Sequence, residues 1–213
     1  MTQTITLRYL FDPLCGWCYG ASRSVTQLAK HPAIDLRPMP TGLFAGSEAR
    51  PMAGFAAQAW ANDQRIAKLS GRVFSEEYHR NVLGDTDASL DSTVATRAVI
   101  STAEIAPSRV IEVLATIQSA RYVDGKDVTS AAVVSDLLTK MDLEDAGARV
   151  IAADDDLLHA VDVRTDAARQ LMSRFGQQGV PALIATINGT QSVLDSGVLY
   201  AGIDRVLTTL NLT

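Results

Sequence analysis

The sequence predicts an α/β fold in which a β-α-β unit opens the chain, an α-β-β-α unit closes it, and an all-helical block lies between them. Three observations predict this. The opening segment switches from alternating to helical apolar spacing and back. The stretch from about Pro51 to Asp154 carries helical stripes only. A nearly all-apolar run, Val180 to Ile187, then meets Asn188-Gly189, the strongest two-residue hairpin signal.

Ile5, Leu7, Tyr9 and Phe11 alternate with Thr6, Arg8 and Leu10, which predicts a strand broken by Asp12-Pro13-Leu14. Ala21, Ser24, Val25 and Leu28 share one helical face, so a helix follows Cys15 and ends near Lys30, before His31-Pro32. Ile34 to Met39 is the second strand. In the central block, helical stripes run through Met52, Phe55, Ala56 and Ala59, then Ala95, Ala98, Val99 and Thr102 after Asp91-Ser92. Further stripes run through Val110, Val113, Leu114 and Ile117, with Pro107 in the first turn, and through Val134, Leu137, Leu138 and Met141, capped by Thr129 or Ser130.

A long helix is expected from about Leu157 to Phe175, its start marked by Asp154, Asp155 and Asp156. Gln191 to Leu194 would be the returning strand. Ile203, Val206, Leu207 and Leu210 make a final helical stripe. The order corresponds to a thioredoxin-like fold with an all-helical insertion. Residues 1–50 and 155–213 would form the thioredoxin-like part and residues 51–154 the insertion.

Composition narrows the function. The chain has 213 residues, 47% of them hydrophobic, enough for a packed core. The formal net charge is −5 and no basic block occurs, which argues against a nucleic-acid partner. No apolar run approaches the roughly 18 residues of a membrane span, so no membrane partner is expected. The start, Met-Thr-Gln-Thr-Ile-Thr, lacks the pattern of a secretory signal, and a cytoplasmic location is expected.

Only two cysteines occur, Cys15 and Cys18. A lone Cys-x-x-Cys pair in a reducing compartment points to redox chemistry or metal binding. At this spacing on the first turn of a helix the two could bridge, since a disulfide needs Cα atoms ~4.4–6.8 Å apart. Unpaired N–H groups and the helix dipole favour a thiolate there, which makes Cys15 the expected nucleophile and Cys18 the more buried resolving partner. Gly16 permits close approach of a substrate, and Trp17 adds aromatic surface without charge. Asp12 reads as a turn residue accepting backbone N–H bonds, with a proton relay as the second reading.

Pro181 interrupts what would otherwise be a central strand, so it should stand at the strand's entry, with Val180 offering backbone groups to an added peptide strand. Trp17 and Phe44, with Tyr19, could line an apolar groove. No metal is expected: His31, His79 and His159 show no ligand spacing, and Glu76-x-x-His79 lacks a second copy. Arg23 and Arg72 read as ordinary surface residues, Trp60 and Phe74 as core of the insertion.

Phe-Asp-Pro-Leu-Cys-Gly-Trp-Cys-Tyr-Gly (Phe11 to Gly20), with Gly-Val-Pro-Ala-Leu-Ile (Gly179 to Ile184) far downstream, resembles the DsbA-like family. The branch most similar is the cytoplasmic FrnE-like group of predicted protein-disulfide isomerases. Thr41-Gly42-Leu43-Phe44, Asp91-Ser92 and the run Arg121 to Thr129 are similar too, so the likeness covers most of the chain. The resemblance implies a thioredoxin fold with a helical insertion, Cys15 attacking, Cys18 resolving and Pro181 in cis. The Gly-Trp dipeptide and the expected lack of a leader would set this chain apart from the secreted, strongly oxidising members.

The expected function is therefore a thiol–disulfide oxidoreductase or isomerase working by dithiol–disulfide exchange. Its redox group would be the Cys15–Cys18 disulfide, with no other cofactor and with glutathione as a candidate co-substrate. Its partners would be proteins or small molecules bearing thiols or disulfides. The alternative is a glutathione-dependent isomerase or transferase of the hydroxychromene carboxylate isomerase and kappa type, whose members typically carry serine where Cys15 stands. A non-catalytic peptide-binding module is a third reading.

Overall fold

The structure is a computed structural model and describes residues 4–212. Strand β1 (Ile5–Phe11) leads to α1 (Gly16–Leu28) and β2 (Ile34–Pro40). The short strand β3 (Arg50–Pro51) precedes α2 (Met52–Ser70), and α3 (Glu76–Tyr78) runs on into a wider π turn at His79–Leu83. Strand β4 (Ser89–Leu90) follows, then helices α4 (Thr93–Ile105), α5 (Val110–Tyr122), α6 (Ala131–Thr139), α7 (Glu144–Ala152) and α8 (Asp155–Arg174). The chain closes with β5 (Ala182–Ile187), β6 (Thr190–Leu194) and α9 (Ile203–Thr209).

The main sheet has the order β2-β1-β5-β6. Strand β1 pairs parallel with β2, from Ile5 opposite Ile34 to Phe11 opposite Pro40. On its other side β1 pairs antiparallel with β5, with Leu10 opposite Ala182. Because β1 is central, its apolar residues are covered on both sides: Leu7, Tyr9, Leu10 and Phe11 are all fully buried. Asn188 and Gly189 both take positive φ, 51° and 78°, the geometry a two-residue hairpin between β5 and β6 requires.

This register decides where the chain's loops meet. The end of β1, the end of β2 and the start of β5 all lie at one edge of the sheet. Thr41 seals the exit of β2 by donating its N–H (2.8 Å) and its hydroxyl (3.0 Å) to the Phe11 carbonyl. From α8, Arg169 donates to the carbonyls of Thr41 and Gly42, both at 2.8 Å. Segments more than a hundred residues apart in sequence are tied together there.

Two local expectations need correction. The central block is not free of strands, because Arg50–Pro51 pairs antiparallel with Ser89–Leu90. Two residues on each side are too few to leave a period-2 pattern. Ser130 stands before α6 but makes no side-chain cap, and the Thr129 hydroxyl is bound instead to Asp127, whose carboxylate also takes the Thr129 N–H. Ser92 stands before α4 without capping it, because its hydroxyl is committed elsewhere, to Asp12. Asp154, by contrast, caps α8 by accepting from Leu157 N–H at 2.8 Å.

Since Leu10 is fully buried beside β5, Leu10→Ala should remove packing that the sheet cannot recover by collapse. The expected loss is about 2–5 kcal/mol of unfolding free energy, read from the urea midpoint at unchanged m-value.

Candidate active site

Cys15 stands immediately before α1 in extended conformation, with φ −80° and ψ 120°, and its carbonyl accepts the Tyr19 N–H of the first turn. Its Sγ therefore lies where the helix begins and backbone N–H groups have no partner within the helix, an environment that favours negative charge. Sγ is 3.5 Å from the carbonyl oxygen of Val180. The Val180–Pro181 peptide bond is cis, and Pro181 stands just before β5 rather than inside it. Cys15 and Val180, 165 positions apart in sequence, are brought together by the β1–β5 pairing, which carries both segments to the same edge.

Cys15 is 7% exposed, and it lines a cavity of about 200 Å³ together with Gly16, Trp17, Phe44, Asp63, Arg121 and other residues. Cys18, one turn further into α1, has no exposure at all. Burial pushes the Cys18 thiol well up, and its hydrogen bond with Cys15 adds to that. Both cysteines are free thiols here.

The loop carrying Cys15 is held from several directions. The Asp12 carboxylate, fully buried, accepts from Leu14 N–H (2.8 Å), Phe44 N–H (3.1 Å) and the Ser92 hydroxyl (2.7 Å). Burial raises its pKa, while those three bonds oppose the rise. Tyr122 donates to the Leu14 carbonyl at 2.6 Å, and Tyr200 to the Trp17 carbonyl at 3.2 Å. Trp17 is half-buried, its indole edge-on to the Tyr200 ring at 5.6 Å. Phe44 is buried in the cleft wall, with the Arg50 guanidinium 5.1 Å from its ring centre.

The structure thus brings Asp12, Cys15, Gly16, Trp17, Cys18, Phe44, Val180 and Pro181 to one edge of the sheet. Tyr19 points away from the cleft. It stacks on Tyr122 at 4.6 Å, donates to the Val73 carbonyl and carries the Arg72 guanidinium 4.4 Å above its ring. Arg72 is therefore packed against the aromatic cluster and is not the ordinary surface residue expected. Trp60 is half-buried and stacks on His79 at 4.2 Å, and Glu76 pairs with His79 on the exposed side. Among the described residues no group of His, Cys, Asp and Glu is arranged to hold a metal.

Two cleft residues were not among the expected site residues, although Arg121 opens a run that resembles the family. Asp63 of α2 is buried and accepts the Tyr78 hydroxyl at 2.9 Å, and Arg121 of α5 is 2% exposed. Each sits where its helix's apolar stripe demands a hydrophobic residue. Asp63 follows Met52 and Ala59 and precedes Ile66, while Arg121 follows Leu114 and Ile117. A polar residue in register with a buried stripe was the available signal. Asp63 also accounts for Gly16. A Cβ at position 16 would come within 2.5 Å of the Asp63 Oδ1, so the motif's glycine makes room for a carboxylate from the insertion.

No family model matches the sequence, and no curated protein matches it. Solved structures do. The cytosolic disulfide reductase DsbM from Pseudomonas aeruginosa is 32% identical, covering 98% of this chain and 100% of that one, with a TM-score of 0.86. The chain belongs to the DsbA-like family of thiol–disulfide oxidoreductases. The same DsbM with GSH matches at 31% identity, 97% and 98% coverage and a TM-score of 0.82. DsbA of Pseudomonas aeruginosa, at 11% identity, 99% and 82% coverage and a TM-score of 0.55, shares the fold. As a DsbA-like protein-disulfide oxidoreductase, the chain has the thioredoxin fold with a helical insertion. Among the described residues no helix is long and apolar enough to cross a membrane.

Burial raises the Asp63 carboxyl to about 7, opposed by the Tyr78 hydroxyl and Arg121. In the folded protein Asp63 keeps its proton to about pH 7, while the unfolded chain loses it near pH ~3.9. Folding then takes up a proton between those values, and this group's stabilisation fades as pH rises through 7. Between about pH 5 and pH 8, wild type should lose about 3 kcal/mol of unfolding free energy relative to Asp63→Asn, measured by urea unfolding.

Proposed function

We propose that this DsbA-like protein works as a dithiol reductase or isomerase in the cytoplasm, with Cys15 as attacking thiol and Cys18 as resolving thiol. The observation that carries this reading is the placement of Cys15 Sγ at the start of α1, 3.5 Å from the Val180 carbonyl and on the wall of a cleft. An extended substrate could pair with the backbone at Val180 and present its sulfur to Cys15. Trp17 and Phe44 would give that substrate apolar contact, while Asp12 and Gly16 support the loop.

In the reductive direction, the Cys15 thiolate attacks one sulfur of a substrate disulfide, and the other sulfur leaves as a thiolate. Cys18, once deprotonated, attacks Cys15 Sγ, which releases the substrate's second thiolate and leaves a Cys15–Cys18 disulfide. Two electrons have passed to the substrate. The burial that raises Cys18 keeps it protonated until the mixed disulfide forms, so the two sulfurs act in sequence. Glutathione, which accompanies DsbM in one matched structure, is a fitting co-substrate for re-reducing the pair. The substrates themselves are disulfide-bearing proteins or small molecules. A cytoplasmic site of action fits the cytosolic DsbM likeness.

The glutathione-dependent transferase alternative leaves Cys18 without a task, and that separates it from exchange. Insulin reduction driven by glutathione should fall by at least about tenfold in Cys18→Ser, with a Cys15 mixed disulfide accumulating in its place. Undiminished turnover in Cys18→Ser would refute the dithiol mechanism. Cys15→Ser should be inactive in the same assay.

A further inference from the structure

A second cavity, of about 410 Å³, opens where the edge strand β2 faces α4, α8 and the start of α5, and it shares no lining residue with the Cys15 cleft. Its floor is apolar: Leu36 and Met39 of β2, Val99 and Ile100 of α4, and Val110 of α5. The other lining residues are prolines and alanines, except for Arg37 and Arg164. Its size lies within the roughly 300–1,000 Å³ of small-molecule sites, which are likewise mostly apolar with a few polar groups that orient the ligand.

The edge of β2 argues against a peptide strand as the occupant. The Ala33 carbonyl and the Thr41 N–H both bond to β1, so the odd-numbered residues of β2 face β1 and the even-numbered ones face outward. Pro38 and Pro40 are among the outward ones and have no N–H to donate. Half of the donors that an added strand needs are missing there.

The charges argue for an anion. Arg37 and Arg164 are both exposed, at the mouth of the cavity, and no acid lines it. Arg37 commits its Nε to Asp35 at 2.8 Å, which leaves its two terminal nitrogens for a ligand. Arg164 donates no hydrogen bond among the described residues. Its ion-pair contact is to Glu104 at 3.8 Å, a carboxylate already held by Arg149 at 2.7 Å. A planar fork with spare donors matches a carboxylate. An apolar floor below a cationic mouth fits an anion with an apolar body.

We propose that this cavity binds a small hydrophobic carboxylate, its body between β2 and α4 and its head on Arg37 and Arg164. The ligand needs no sulfur, so this binding function is separate from exchange at Cys15.

The test titrates the full, reduced chain with octanoate, 1-octanol and acetate by calorimetry at low ionic strength. Octanoate should bind at one site, at least about tenfold more tightly than octanol, and acetate should give no binding heat. The double variant Arg37→Gln, Arg164→Gln should bring the octanoate-to-octanol ratio close to one while octanol binding holds, which general loosening would not do. Ala103→Phe, which puts a ring into the cavity, should abolish binding of both. Equal affinity for octanoate and octanol in wild type, or no octanoate binding, overturns the proposal and needs no variant to fold. Retention of the ratio in the double variant with its loss in Arg50→Gln also overturns it, because the carboxylate would then sit in the Cys15 cleft.

Discussion

The central position of β1 is the constraint on which the site depends. Paired parallel with β2 and antiparallel with β5, it delivers the Cys15 loop, the exit of β2 and the Val180–Pro181 segment to one sheet edge. None of these pieces could hold the others without that pairing. Asp12 then fixes the detail: its buried carboxylate gathers N–H groups from the cysteine loop and from Phe44, and the hydroxyl that opens α4. Charge-assisted bonds of this kind are strong where water is absent, and three of them make the burial tolerable. The insertion is thus fastened to the motif at its first helix start after the short β3–β4 pair.

The site is also shaped by what the insertion places against it. Asp63, Tyr78, Arg121 and Tyr122 form a buried polar and aromatic wall, and Tyr122 reaches the Leu14 carbonyl directly. Gly16 is required by this wall as much as by any substrate, since a side chain there would strike Asp63. The insertion therefore limits which dipeptides can stand between the cysteines.

Much of the fold was legible because its elements are long and strongly patterned. The alternation in Ile5 to Phe11, the stripe in α1 and the Asn188-Gly189 turn each carry a period or a φ requirement that few other structures satisfy. The β3–β4 pair was not legible, because two residues cannot display a period. The cysteine centre was visible from residue type and spacing. Asp63 and Arg121 were not picked out, because the only signal was a polar residue continuing an apolar stripe, and such a residue also reads as the edge of a solvated face. Ser92 shows the same limit: it stands just before α4, yet Asp12, 80 positions away in sequence, takes its hydroxyl. Local rules describe what a side chain does when nothing distant competes for it.

Cys18 has no surface of its own. A foreign sulfur, oxidant or alkylating agent arriving from solution meets one atom first, and that atom is on Cys15. Adducts on the inner thiol are closed off by packing alone. A mixed disulfide can stall the molecule halfway, but at the sulfur from which its own partner can free it.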